Sequence, residues 1–179
     1  MRAPHGTRFI DPLKLTREDF DPTVVALAQS RINRWCGNGL FPVSDAQHSY
    51  TLSLFVPQHL RFAALMHDVP ENWCGDVCGP LLASLGKEID AYQHQILRHL
   101  SSLFNYPYQH FIDLHPYDKA IAHDEKRALF PQDPYDPSLG LGIPIEPLDA
   151  DTAALLWYTR FLELTDDAGS AIQYWKAAA

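Results

Sequence analysis

Ala64-Leu65-Met66-His67-Asp68-Val69-Pro70-Glu71-Asn72-Trp73-Cys74-Gly75-Asp76 is the stretch of this chain that decides its fold. Leu60, Phe62, Ala63, Leu65 and Met66 form an apolar helix leading to an adjacent His67-Asp68 pair. Adjacent side chains on a helix point about 100° apart, so one ion can bridge this pair only near a helix end. The proline and glycines that follow soon after supply such an end. His48 and Asp118 are the further residues of metal-ligating type, placed on neighbouring helices of a bundle. Two imidazoles and two carboxylates suit Mn, Fe, Co, Ni or Zn better than an oxygen-only Mg site. The set His48, His67, Asp68 and Asp118 is the expected metal site, its choice among nine histidines resting on the flanking residues described below.

Working outward, the chain reads as helical nearly throughout. Asp21-Pro22 caps and starts a helix whose apolar face runs through Val24, Val25, Leu27, Ala28 and Ile32. Ser44 with Gln47 reads as a capping box, which puts His48 in the first turns of a helix running to about residue 56. Pro57 starts the helix that ends at the doublet, and Gly75, Gly79 and Pro80 break the chain again. Helices are then expected over 88–103, 117–130 and 150–164, with an irregular proline-rich loop, a lid candidate, over 131–147. No repeat and no period-two strand pattern stands out. The expectation is one all-α domain over 1–179, a helical bundle with a metal site in its core. Its metal and catalytic motifs lie within 31–130, and a loop and helix over 131–179 follow.

Composition narrows the partners. The chain is 46% hydrophobic and 20% charged, an ordinary globular balance, and its net charge of -8 argues against a nucleic-acid polymer. A small anionic substrate remains compatible, because a metal and a few arginines make one cleft locally positive. No apolar run reaches membrane-spanning length, and residues 1–9 do not resemble a signal peptide. Three cysteines, Cys36, Cys74 and Cys78, favour reduced thiols and a cytoplasmic setting. Cys74 and Cys78 lack the second spaced pair of a zinc site. Nine histidines make any single one weak evidence, and seven of them read as surface or satisfied polar residues. Trp157 fits either the core or a subunit interface, so a homo-oligomer is compatible with the sequence.

The residues around these four carry a resemblance to the HD-domain metal-dependent phosphohydrolases. Val43-Ser44-Asp45-Ala46-Gln47-His48-Ser49 resembles the family's V-x-(E/Q)-H-S segment. His67-Asp68 is followed by Glu71 and by Gly75-Asp76, as in that family. Asp118, Glu125 and Arg127 resemble its D-x-x-x-x-x-x-E-x-R helix, and Arg34-Trp35 resembles the Arg-Trp pair of the bacterial HD-type 5'-deoxynucleotidases. The short phage dATP triphosphohydrolases share the layout. One departure is Val77-Cys78-Gly79-Pro80-Leu81-Leu82, which lacks the family's lysine; Lys87 is a replacement candidate.

The resemblance implies a hydrolase of 2'-deoxynucleotides. The first substrate to expect is a dNTP, dATP foremost, releasing deoxynucleoside and triphosphate. The alternative is release of orthophosphate from a deoxynucleoside monophosphate, and a non-catalytic nucleotide- or metal-binding protein is more remote. Asp68 and Glu71 are the expected catalytic pair: Asp68 ligates the metal, and Glu71, one turn on, handles a proton as general acid/base. Arg34 and Lys119 are expected on phosphate, Trp35 as the wall that excludes a 2'-hydroxyl, and Asp76 on a sugar hydroxyl or water. An additional divalent cation carried in with the substrate is compatible with this chemistry. The setting would be cytoplasmic, or the host cytoplasm for a phage-encoded chain.

Overall fold

Short-range chemistry sets most of the helix boundaries in the computed structural model, which describes residues 2–167. Helix α1 (Pro22–Gln29) begins where the Asp21 carboxylate accepts hydrogen bonds from the Thr23 and Val24 amides, with Pro22 in the first turn. It stops short of Ile32. Helix α2 (Asp45–Phe55) begins at Ser44, whose hydroxyl accepts from the Gln47 amide at 3.2 Å. The expected capping box is only half formed. Gln47 turns away and donates its side-chain amide to the Glu146 carbonyl at 2.6 Å. The loop between α1 and α2 is tied at its ends by Arg34 N–H to Val43 O at 2.9 Å and Asp45 N–H to Ile32 O at 3.1 Å.

Helix α3 (Arg61–Met66) follows one 3-10 turn after Pro57. Phe62, Ala63, Ala64, Leu65 and Met66 are all buried, so α3 is apolar on every side and runs through the middle of the molecule. It packs on α2 and on α8 (Ala150–Asp167). Trp157 of α8 is fully buried and donates its indole N–H to Leu65 O at 3.0 Å, which places it in the core. Phe161 stacks on Trp157 and leads into a ring cluster with Phe20, Phe62 and Phe104. Because α3 is central, the residue that ends it is delivered to the interior rather than to solvent.

Three elements differ from the sequence reading. The chain opens with a hairpin, β1 (Ala3–His5) against β2 (Arg8–Ile10), turning at Gly6 with φ of +60°. A Cβ at Gly6 would sit 3.1 Å from the Val24 side chain, so the turn needs glycine for both reasons. Three-residue strands are too short to show a period of two. The expected break at Gly79-Pro80 is instead the start of α4 (Gly79–Leu85), since proline is tolerated in a first helical turn. A short α6 (Gln109–Asp113) lies between α5 (Lys87–Leu103) and α7 (His115–Leu129). The described structure is thus mostly helical with one small hairpin. No helix among the described residues is long and apolar enough to cross a membrane.

The proline-rich segment after α7 is pinned, not loose. Asp124, fully buried on α7, accepts from the amides of Leu141, Gly142 and Ile143 at 2.9–3.3 Å and from the Tyr135 hydroxyl at 3.2 Å. Gly140 is required there: a Cβ would meet an Asp124 carboxylate oxygen at 2.3 Å. Arg127 donates to Ile143 O at 3.1 Å, and Ile143 and Ile145 enter the core.

Candidate metal centre

Four elements deliver the site. His67 is the last residue of the α3 turn, and its Nδ1–H donates to Ala64 O at 2.9 Å, which turns the lone pair of Nε2 inward. Asp68 leaves helical geometry, with φ -89° and ψ 0°, before a 3-10 turn over Val69–Trp73. That break swings the two neighbours together: His67 Nε2 and Asp68 Oδ1 stand 3.1 Å apart. His48 enters from α2, and Asp118 from the first turn of α7.

The separations fit one ion. His48 Nε2 lies 3.1 Å from Asp118 Oδ1, 3.3 Å from His67 Nε2 and 3.7 Å from Asp68 Oδ2, and His67 Nε2 lies 3.6 Å from Asp118 Oδ1. Ligand atoms held about 2.0–2.2 Å from a shared ion stand about 3.0–3.6 Å from one another. His48, His67 and Asp118 thus form a group able to hold a metal, with His48 buried and the other two half-buried. Asp68, also buried, borders the same point.

Behind this cluster sits Glu125, fully buried on α7. Its Oε1 pairs with His48 Nδ1 at 2.7 Å, while Oε2 accepts from Arg34 Nε at 3.0 Å and Trp35 Nε1 at 2.9 Å. Burial would push the Glu125 carboxyl up, but Arg34 and His48 overcome it and hold it at about 2. For His48, burial and Arg34 push down; Glu125 and the Asp118 hydrogen bond prevail and raise it to about 10. Asp118 is likewise held well below the usual carboxylate range by His48 and His67, against its burial.

The expected substrate residues divide. Arg34 is close to the centre but engaged, reaching Asp68 Oδ2 with Nη1 at 3.4 Å while Nε serves Glu125. Trp35 sits beside it in left-handed backbone, φ +57°, followed by Cys36 at +54°; two consecutive non-glycine residues there store about 1–3 kcal/mol each. Its ring packs edge-on against Phe130 at 5.5 Å. Asp76 is half-buried and faces the same charges; burial raises its pKa and Arg34 opposes the rise. Lys119 is exposed and forms no ion pair among the described residues. Cys74 accepts from Gln93 Nε2 at 3.6 Å, and no cysteine joins a metal-capable group among the described residues.

Asp45 was not singled out by the sequence, yet it is central here. Asp45, Asp68 and Glu71 form a second group whose oxygens lie within 4.8 Å of one another. Burial, then Asp68, raises the Asp45 carboxyl to about 8; the same two causes raise Glu71 well above its ordinary value. The signal in the sequence was its spacing: Asp45 precedes His48 by three residues, which puts both on one helix face.

No family model matches the chain. Over 68 residues it is 38% identical to the uncharacterized protein YfdR of Escherichia coli (strain K12), a match that spans 38% of this chain and 38% of the length of that protein.

Proposed function

We propose that this chain is an HD-type, metal-dependent phosphohydrolase of 2'-deoxynucleotides, splitting a dNTP, dATP foremost, into deoxynucleoside and triphosphate. The observation that carries the reading is the grouping of His48, His67 and Asp118 into one metal-capable cluster with Asp68 at its border, at contacts of 3.1–3.7 Å. His48, His67, Asp68 and Asp118 would hold the ion, which supplies charge neutralisation at phosphate and a more acidic water. Glu125 keeps His48 oriented with Nε2 toward that cluster. A water oxygen bonds to the α-phosphorus as the bond to the 5'-oxygen breaks; the water gives up a proton and the departing 5'-oxygen takes one up. Glu71, beside Asp68 and with Oε2 buried and unpaired, is the group placed to move that proton. Trp35 walls the sugar side, and Asp76 serves a hydroxyl or water.

One observation favours the monophosphate alternative. Arg34 is engaged by Glu125 and Asp68, so of the two cations expected on phosphate Lys119 alone is unengaged among the described residues, few for a triphosphate. Incubation with Mn or Co and each dNTP and dNMP, with products resolved by ion exchange, separates the two. Triphosphate plus deoxynucleoside supports the first reading, and orthophosphate from monophosphates alone supports the second. No turnover by metal-loaded protein overturns both. Glu71→Gln is expected to keep metal and nucleotide binding while turnover falls by about 100-fold or more. Unchanged behaviour in that variant would instead indicate a binding protein.

A further inference from the structure

The second carboxylate group has a feature that helix capping does not explain. A first-turn aspartate ordinarily serves the helix dipole from the solvent side. Asp45 is fully buried, and its carboxylate oxygens meet no donor other than the neighbouring Glu71 carboxyl. Both Asp68 and Glu71 present an oxygen within 4.8 Å of it, and Glu71 Oε2 is buried and unpaired as well. Carboxylates packed this closely must share a proton or a cation between them, and a cation answers all three at once.

We propose that Asp45, Asp68 and Glu71 form a second divalent-cation site, sharing Asp68 with the histidine-containing one. An oxygen-only donor set selects a hard ion, Mg or Mn, whereas His48 and His67 favour a transition metal at the neighbouring position. Asp68 is the residue common to both groups: Oδ1 lies 3.1 Å from His67 and Oδ2 3.7 Å from His48, while Asp45 and Glu71 present oxygens within 4.8 Å of its carboxylate. One Glu71 oxygen suffices as a ligand, which leaves the other to handle a proton.

Charge supports the assignment. Asp45, Asp68, Glu71, Asp76, Asp118 and Glu125 surround the single guanidinium of Arg34. With all six ionised and the histidines neutral, the protonation state that cation loading requires, that leaves five negative charges, three after one divalent ion and one after two. An anionic phosphoester approaches the last arrangement far more readily. The proposal rests on the metal-centre part of the functional reading and not on the nucleotide.

The test is manganese binding to the intact metal-stripped chain, followed by bound-metal analysis and electron paramagnetic resonance. Two Mn per chain with the magnetic coupling of carboxylate-bridged ions is the expected result, falling to one uncoupled Mn in Asp45→Asn. Excess Mg should displace one Mn of the two, removing the coupling while the other stays bound. A wild-type protein that binds one uncoupled Mn overturns the second site while leaving the first. Binding of none overturns both. The wild-type stoichiometry decides the matter even where Asp45→Asn fails to fold, and a dNTP turnover assay on the same sample tells separately whether the hydrolase reading stands.

Discussion

Replacing Glu125 by glutamine should cripple metal binding through a proton on the wrong nitrogen. Arg34 Nε–H and Trp35 Nε1–H both converge on Glu125 Oε2, and His48 Nδ1 meets Oε1. A glutamine that keeps its oxygen toward the two donors must present its NH2 to His48. Nδ1 then becomes the acceptor and the ring proton moves to Nε2, the atom aimed at Asp118 at 3.1 Å. The flipped amide would set NH2 against two donors at once. Loss of such a supporting contact costs about 10–100-fold in metal affinity, and the tautomer change puts this variant at the upper end. The metal-free fold should weaken too. Removing one partner of a buried pair costs about 3–5 kcal/mol, and since Arg34 retains Asp68 we take about 3. At about 2–4 °C per kcal/mol for a chain of this size, Tm falls by about 6–12 °C. The wild-type contribution should also depend on acid. Glu125 is depressed from 4.5 to about 2, so its stabilisation is complete above about 4.5 and is lost as pH falls toward 2; the variant has nothing to lose in that window. Competition against a chelating indicator reads the affinity, and calorimetry of the metal-free protein reads Tm at several pH values. An affinity within threefold of wild type together with an unchanged Tm would refute the reasoning.

Two further outcomes are expected. His48, raised to about 10 in the metal-free protein, is protonated at neutral pH, so loading a cation should release at least one proton per chain. Titration calorimetry in buffers of different ionisation enthalpy measures it, and zero release would count against His48 as a ligand. Asp124→Ala should leave three backbone amides and the Tyr135 hydroxyl without their acceptor, at about 1–3 kcal/mol for each buried donor. Denaturant unfolding should show a loss of at least about 3 kcal/mol, with protease cutting first within 131–147; a loss under about 1 kcal/mol would mean that this segment is held by something else.

What the sequence disclosed was local. Asp21 and Ser44 mark helix starts through hydrogen bonds from amides two or three positions away, so they read correctly without tertiary knowledge. Pro80 misled because proline breaks a helix interior and also opens a first turn, and only packing tells which. The residues of the candidate metal centre were legible because those flanking His48, His67-Asp68 and Asp118 resemble a known family's segments in order and spacing. Asp124 and Asp45 were not. Each is a charged residue on a helix, where exposure is the default, and each is buried by something distant: Asp124 by a loop returning 17–19 residues later, Asp45 by the centre itself. Arg34 looked like a free phosphate fork because its partner Glu125 is 91 positions away.

The distribution of unpaired polar atoms ties the fold to the site. Asp45, Glu71, Asn72 and Trp73 carry buried side-chain atoms without partners, and three of them are consecutive in the turn that follows the doublet. Such groups cost stability wherever they occur. Here two of the four are carboxylates beside Asp68, crowded by like charge and raised in pKa by burial and by one another. A bundle stabilised only by its core would gain from an apolar residue at position 45, next to the fully buried Ala46. Retaining a carboxylate there makes physical sense when a cation offsets the repulsion, so the strain of the metal-free centre becomes binding energy for the ion. The same α3 that supplies a fully buried stretch of the core therefore also leads into a turn where three consecutive residues carry unpaired buried polar atoms.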